Sequence, residues 1–318
     1  MEASPQALAP EDIRQEALRL GFVACGFSRA DALVEDKRRV TDWLARGHHA
    51  GMGYMARNLE KRCDPRLLAE GTRTVLSLLH PYHTTRKQDD PLAPVLSSYA
   101  YGTDYHFVLK DKMRALFDFI RERRPEADGR IFVDSAPVLD RAWARTAGLG
   151  WIGRNSMLIS RHHGSFVFIG SILLNLDLDV RPDGRVLPEH DLCGSCTLCV
   201  DACPTRAILP DRTLDAGRCI SYQTIENKGP IPDEAPPQTG QPDLRLRHLP
   251  GCVSLEPESP EHAEPLFHPR AGLLELRSEG WHSMDRETYL RLFRNSPVKR
   301  AGLPKLLDTL RILRSGSR

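Results

Sequence analysis

The chain has 318 residues, 41% of them apolar, and a formal net charge of +2 from 44 basic and 42 acidic side chains. That length can bury a substantial core, as one large domain with an appendage or as two ordinary ones, and the near-neutral balance excludes a polycation. No apolar run reaches the length of a bilayer span, the polar N-terminus "MEASPQALAPEDIRQEALRLGF" reads as no signal or transit peptide, and a cytoplasmic protein is expected.

In chain order, "PEDIRQEALRL" (10–20) has apolar residues at helical spacing, with Pro10 in the first turn and Gly21 as the stop. Similar spacing predicts helices over 28–46 and 107–123. The apolar, β-branched runs "TVLSLLHPY" (74–82), "RIFVD" (130–134) and "SFVFIGSILLNLDL" (165–178) read as strands of a buried sheet. The expected class is therefore α+β, with an N-terminal mixed sheet and flanking helices over 1–178. From 179 to 270 the texture turns to short Pro-, Gly- and Cys-rich elements, where metal would have to supply the cohesion. Two amphipathic helices, over 285–294 and 303–314, close the remaining 271–318.

Several residues along this path invite chemistry. Asp104, Tyr105 and His106 precede a helix, which by itself reads as an N-cap beside a half-buried aromatic. Asp134 ends an apolar strand before "SAP", which is expected to open a helix; the plain reading is a helix cap, with Ser135 an equal candidate. A carboxyl at a strand end beside a cofactor could also be kept protonated by burial and act as a general acid. Arg141, seven residues on, would share its helix face. "GLGWIG" (148–153) matches G-x-G-x-x-G letter for letter, but it follows a helix, so a dinucleotide-binding reading is rejected in favour of a helix stop and a close backbone approach. His162 and His163 read as a solvated turn.

In a reducing compartment the eight cysteines are expected as metal ligands rather than disulfides. "CGSCTLCVDACP" (193–204) is C-x2-C-x2-C-x3-C-P, the spacing in which Cys193, Cys196 and Cys199 hold one iron–sulfur cubane and Cys203 serves another. Zinc is the competing reading, but zinc sites pair two C-x2-C arms. Cys219 is a further candidate ligand and Cys252 a doubtful one. Two cubanes need about eight thiolates, and the region from Cys193 to Cys252 offers six.

Four stretches, "VDSAPVLDRAWARTAGLGWIGRNSMLI" (133–159), "CGSCTLCVDACPTRAI" (193–208), "RCISYQTIENKGPIP" (218–232) and "LFRNSPVKRAG" (292–302), together resemble the epoxyqueuosine reductases, relatives of the reductive dehalogenases. The resemblance covers nearly the whole chain. It implies cobalamin in the N-terminal domain, two [4Fe-4S] clusters in a ferredoxin-like module, and reduction of epoxyqueuosine to queuosine at the tRNA wobble position. It implies Asp134 as proton donor, with Tyr105, His106 and Arg141 at the catalytic pocket. It also implies Arg57, Asn155, Ser171 and Ser221 as contacts on the cofactor side, and an electron donor such as ferredoxin or flavodoxin. The chain is expected to be monomeric. For tRNA phosphates the visible cations are Arg291, Arg294, Lys299, Arg300 and Lys305. Many members of that family continue into a helical-repeat tail that helps to hold the tRNA, a share of affinity expected to be missing here. A cobalamin-dependent dehalogenase and a non-catalytic iron–sulfur electron carrier are the rival readings.

The second cysteine run of that family is replaced here by "GQPDLRLRHLPGCVSLE" (240–256). Codons can be chosen for this stretch that, shifted by one base, also spell "GNRIYGCDICQAVCPWN", which resembles the family motif with its three cysteines. The expectation is a one-base insertion near Gly240, compensated before about Leu266. Cys252 then becomes a coincidence, and the literal chain is short of cluster ligands.

Overall fold

The computed structural model describes residues 8–178, 192–231 and 259–315. Cys252 and the stretch 240–256 lie outside the described residues.

The elements in chain order are α1 (Pro10–Arg19), β1 (Ala24–Arg29), α2 (Val34–Ala45), α3 (Leu59–Cys63), α4 (Pro65–Leu68), β2 (Thr74–Pro81), α5 (Tyr105–Arg123), β3 (Gly129–Phe132), α6 (Asp140–Thr146), β4 (Trp151–Ile152), β5 (Leu158–Ile159), β6 (Val167–Leu174), α7 (Leu198–Asp201), α8 (Ser278–His282), α9 (Arg286–Phe293) and α10 (Leu303–Ser315). Four strands form one sheet in the order β1-β2-β6-β3. Every pairing in it is antiparallel, for example Ser77 opposite Ser171 and Ile131 opposite Ile172. The expected mixed sheet is thus corrected. All eight residues of β2 are buried, a pattern usual for parallel strands, but here helices cover both faces of an antiparallel sheet.

Alternation of side chains explains the two covers. Leu76, Leu78, Ile172 and Leu174 pack with Ile13 and Ala17 of α1 and with Leu109, Met113, Leu116 and Ile120 of α5. Val75 and Leu173 point the other way, onto Ala142 and Trp143 of α6. Gly170 must lack a side chain, because a Cβ there would sit 2.5 Å from the Met113 sulfur.

The edge strand β1 falls partly inside the helix expected from residue 28, which begins only at Val34. Hydrogen bonds to β2 hold 24–29 extended, and local spacing could not show them. The strands expected over 130–134 and 165–178 are 129–132 and 167–174. The helix expected at "SAP" does not form. Pro137 bars Ala136 from helical geometry, Asp134 is left-handed with φ +49, and α6 starts only at Asp140.

The C-terminal helices share a core with 93–101: Ala93, Leu96 and Tyr101 pack with Trp281, Tyr289, Phe293, Leu306 and Leu310. Phe267, assigned by composition to the cysteine-rich part, belongs to the main core, and the Thr103 N–H donates to the Leu266 carbonyl. The cysteine-rich segment is held by residues 43–51: the Trp43 indole donates to the Leu214 carbonyl at 2.6 Å, the His48 carbonyl accepts from Ala216, and the Gly51 N–H donates to the Tyr222 hydroxyl. No described helix is long and apolar enough to cross a membrane.

Leu76, fully buried at the centre of this two-sided packing, gives a direct test. Leu76→Ala should cost about 2–5 kcal/mol, read as a lower denaturant midpoint with unchanged slope.

Candidate active site

The site begins at the N-terminus of α5. The Asp104 side chain caps the helix by accepting from the His106 N–H, and its Oδ1 also takes the His106 Nδ1 at 2.7 Å. Burial opposes ionisation of Asp104, but the hydrogen bonds from the His106 ring and backbone win and hold its carboxyl below the usual range. An ionised Asp104 assigns the proton to Nδ1 and leaves Nε2 facing Asp134 Oδ2 at 4.0 Å. Tyr105, one residue earlier, stacks on Phe168 at 4.2 Å and on His106 at 4.2 Å. Its hydroxyl donates to Asp134 Oδ2 at 2.7 Å. Burial, then the Asp134 charge, raises the Tyr105 pKa strongly, so it acts only as a donor.

Asp134 stands on the loop between β3 and α6, with 60% of its side chain exposed. One oxygen accepts from the Tyr105 hydroxyl and the side chain is open to solvent, so the burial expected to keep this carboxyl protonated is not found. The loop is anchored at its far end by Asp140. Asp140 is half-buried, its carboxyl accepts from the Ser171 hydroxyl at 2.8 Å, and desolvation pushes it up to about 7, with the Asp134 charge adding to the shift. Nearby Arg62 is buried, donates to the Tyr54 carbonyl at 3.0 Å, and lies within electrostatic reach of Asp140. Asp140 and Arg62 were not legible in the sequence as site residues. The one available signal was an aspartate inside the apolar run "APVLDRAW".

Other expected residues fare differently. Ser171 has no exposed surface and spends its hydroxyl on Asp140, so it supports the loop instead of touching a ligand. Arg141 shares no helix face with Asp134, because Asp134 is not helical; its guanidinium donates to the Ser156 carbonyl at 2.8 Å. Arg57 is exposed beside the 3-10 turn Gly53–Met55. Tyr54 of that turn is raised in pKa chiefly by burial, with the negative charges of Glu226 and Asp134 adding to the shift. The Asn155 side-chain carbonyl accepts from Met157 in the β4–β5 turn. Ser221 precedes the π-helical turn Tyr222–Glu226.

The cysteines form two groups. Cys199 is raised in pKa by burial and then by the charges of Cys193 and Cys196; Cys219 is raised by burial and feels Cys203. Backbone N–H groups already point at sulfur: Ala207 donates to Cys203 Sγ at 3.3 Å, and Tyr222 and Ser221 donate to Cys219. Among the described residues no three His, Cys, Asp or Glu side chains stand as a preformed metal cage. The donor set, five thiols outside any disulfide and partly supplied with N–H donors, fits iron–sulfur ligation. Cys25 and Cys63 are buried elsewhere, the Cys25 thiol pushed up to about 12 by burial, and take no part. Two of the expected tRNA-binding cations are engaged: Arg300 pairs with Glu226 at 2.9 Å, and Lys305 donates to the Gly229 carbonyl at 2.8 Å.

The family model for epoxyqueuosine reductase QueG, DUF1730, matches residues 62–135, and that for a 4Fe-4S double cluster binding domain matches 192–243. The epoxyqueuosine reductase of Cellulophaga algicola is 42% identical, covering 94% of this chain and 97% of its own length. That of Leadbetterella byssophila is 43% identical, covering 93% and 95%. Among solved structures, a selenomethionine-labelled epoxyqueuosine reductase superposes with a TM-score of 0.82 at 27% identity, over 95% of this chain and 80% of that one. An epoxyqueuosine reductase holding a tRNA-Tyr epoxyqueuosine-modified stem loop superposes with a TM-score of 0.81 at 26% identity, again over 95% and 80%.

The raised Asp140 carboxyl sets a pH dependence. The folded state binds the proton more tightly than the unfolded chain, so stability is highest below the unfolded pKa, near 4, declines as pH rises toward about 7, and is level above it. Asp140→Asn should remove that decline and gain about 1–4 kcal/mol relative to the parent at pH 8, with little gain at pH 4, read by denaturant unfolding across the range.

Proposed function

The chain belongs to the epoxyqueuosine reductase family, and from that premise we propose that Asp134 is the proton donor in reduction of the epoxide of epoxyqueuosine in tRNA to the alkene of queuosine. The observation that carries the assignment is the half-engaged Asp134 carboxyl, with one oxygen bonded to the Tyr105 hydroxyl and the side chain open to a ligand; it meets the substrate in its protonated form. The reaction takes up two electrons and two protons, and the epoxide oxygen leaves as water. Cobalamin, when bound, supplies the electrons at carbon, a task no side chain can perform.

Arg57, Asn155 and Ser221 would hold it, since a guanidinium, an amide and a hydroxyl suit a macrocycle rimmed with amides. Cys193, Cys196 and Cys199 would hold one iron–sulfur cluster, and Cys203 and Cys219 would contribute to a second, which would supply the electrons when bound. The protein's share of the chemistry is proton management. Tyr105 orients the Asp134 carboxyl, so that its free oxygen meets the epoxide oxygen as the C–O bond opens. His106, oriented by Asp104 with its open Nε2 4.0 Å from Asp134, takes a proton from solvent at Nε2 and passes it on to Asp134 as the second proton. The exposed cations Arg291, Arg294 and Lys299 serve the tRNA backbone.

The stretch 240–265 is read as out of frame. The double-cluster model matches as far as residue 243, close to where the shift is placed. Resequencing the gene is the direct check, and codons incompatible with the shifted motif end the idea.

Two outcomes are expected. Asp134→Asn lowers turnover of epoxyqueuosine-containing tRNA by about 10²–10⁴-fold, measured by mass spectrometry of tRNA nucleosides, while Tyr105→Phe lowers it about tenfold. The chain as written holds well under the roughly eight irons of two cubanes, and restoring the motif brings iron and sulfide to that level.

A further inference from the structure

The hairpin of β4 and β5 carries "WIGR" (151–154), residues no step above has used. Trp151 pairs across it with Ile159. The two are 8% and 3% exposed, and Cys193 packs against them. The Trp151 indole N–H is buried and has no acceptor among the described residues. Three residues on, Arg154 donates through Nη2 to the carbonyl of Gly194 at 2.7 Å, which fixes the guanidinium beside the first cysteine turn. Its Nε is likewise buried without a partner.

Two buried donors of one hairpin are therefore left open where it meets the Cys193–Gly194 turn. Leaving each unpaired costs about 1–3 kcal/mol, and proteins rarely tolerate this without an acceptor to come. By contrast, Trp43 satisfies its indole on the Leu214 carbonyl. Trp281 also has an unpaired indole N–H, but it lies in the core of the C-terminal helices, among residues that include no cysteine. The acceptors that a loaded Cys193 turn brings are thiolate and sulfide, both anionic.

We propose that the Trp151 indole N–H, assisted by the Arg154 Nε–H, donates hydrogen bonds to the sulfurs of the cluster held by Cys193, Cys196 and Cys199, and so raises its reduction potential. The inference rests on that cluster assignment. Reduction adds negative charge to the cluster, and donors aimed at sulfur stabilise the reduced form more than the oxidised one. Trp151 is thus a tuning residue that touches the cluster and not the tRNA.

The test uses the full chain, grown with 15N-labelled tryptophan and reconstituted anaerobically with ferrous iron, sulfide and dithiothreitol, the last to supply an outer thiolate. Pulsed EPR of the reduced cluster should show a 15N coupling in the parent protein that persists in Trp281→Phe and vanishes in Trp151→Phe. At a fixed potential, Trp151→Phe should lower the reduced-to-oxidised ratio about tenfold, equivalent to about 59 mV for a one-electron couple, and Arg154→Lys should lower it less. A loaded parent cluster without 15N coupling overturns the proposal, even if the Phe variant fails to load. So does an unchanged potential in Trp151→Phe at parental iron content. A parent chain that takes up no iron removes the cluster assignment, and the proposal falls with it.

Discussion

The hydrogen bond from Ser171 to Asp140 joins the two parts of this protein that matter most to each other. Ser171 sits at the centre of β6, which is paired on both sides and covered on both faces. Asp140 opens α6 and ends the loop that carries Asp134. A desolvated carboxyl without a donor would carry a large cost. The bond therefore sets where the loop ends, and the left-handed turn at Asp134 sets where the reactive carboxyl points. The site is pinned to the most rigid element of the fold from one side and braced by Tyr105 and His106 of α5 from the other.

A second constraint comes from the arm between α2 and α4. A cysteine-rich segment with few apolar residues cannot bury enough surface to hold itself in place. Here the arm holds it through the Trp43, His48 and Gly51 contacts, while Tyr54 of the same arm lies near Asp134 and Glu226. The same arm thus touches the cysteine-rich segment and lies within electrostatic reach of Asp134. The β4–β5 hairpin meets the same segment, with Arg154 bonded to the first cysteine turn.

Much of this was legible from residue order. Helices α1, α5, α9 and α10 and strands β2 and β6 follow from apolar spacing, because each buries a continuous face. The cysteine run is legible because its ligand spacing is local. The edge strand β1 was missed because its extended shape is imposed by β2, and the helix expected at Ser135 fails because Pro137 displaces its start to Asp140. Ser171 was expected to touch a ligand and instead supports Asp140, since nothing in "IGSILL" shows which side of a doubly covered strand a hydroxyl faces.

Sequence by itself determined the class of chemistry through the thiolate spacing and the resemblance of its long motifs to the epoxyqueuosine reductases, both carried by short-range patterns, while Asp104 and Asp134 alone read as helix caps. Tertiary structure alone decided which groups work together. Tyr105 and Asp134 are 29 residues apart, Ser171 and Asp140 are 31, and Trp43 and Leu214 are 171. Each of those bonds joins groups that only the crossing of distant chain segments brings together, and no local propensity encodes such a pairing.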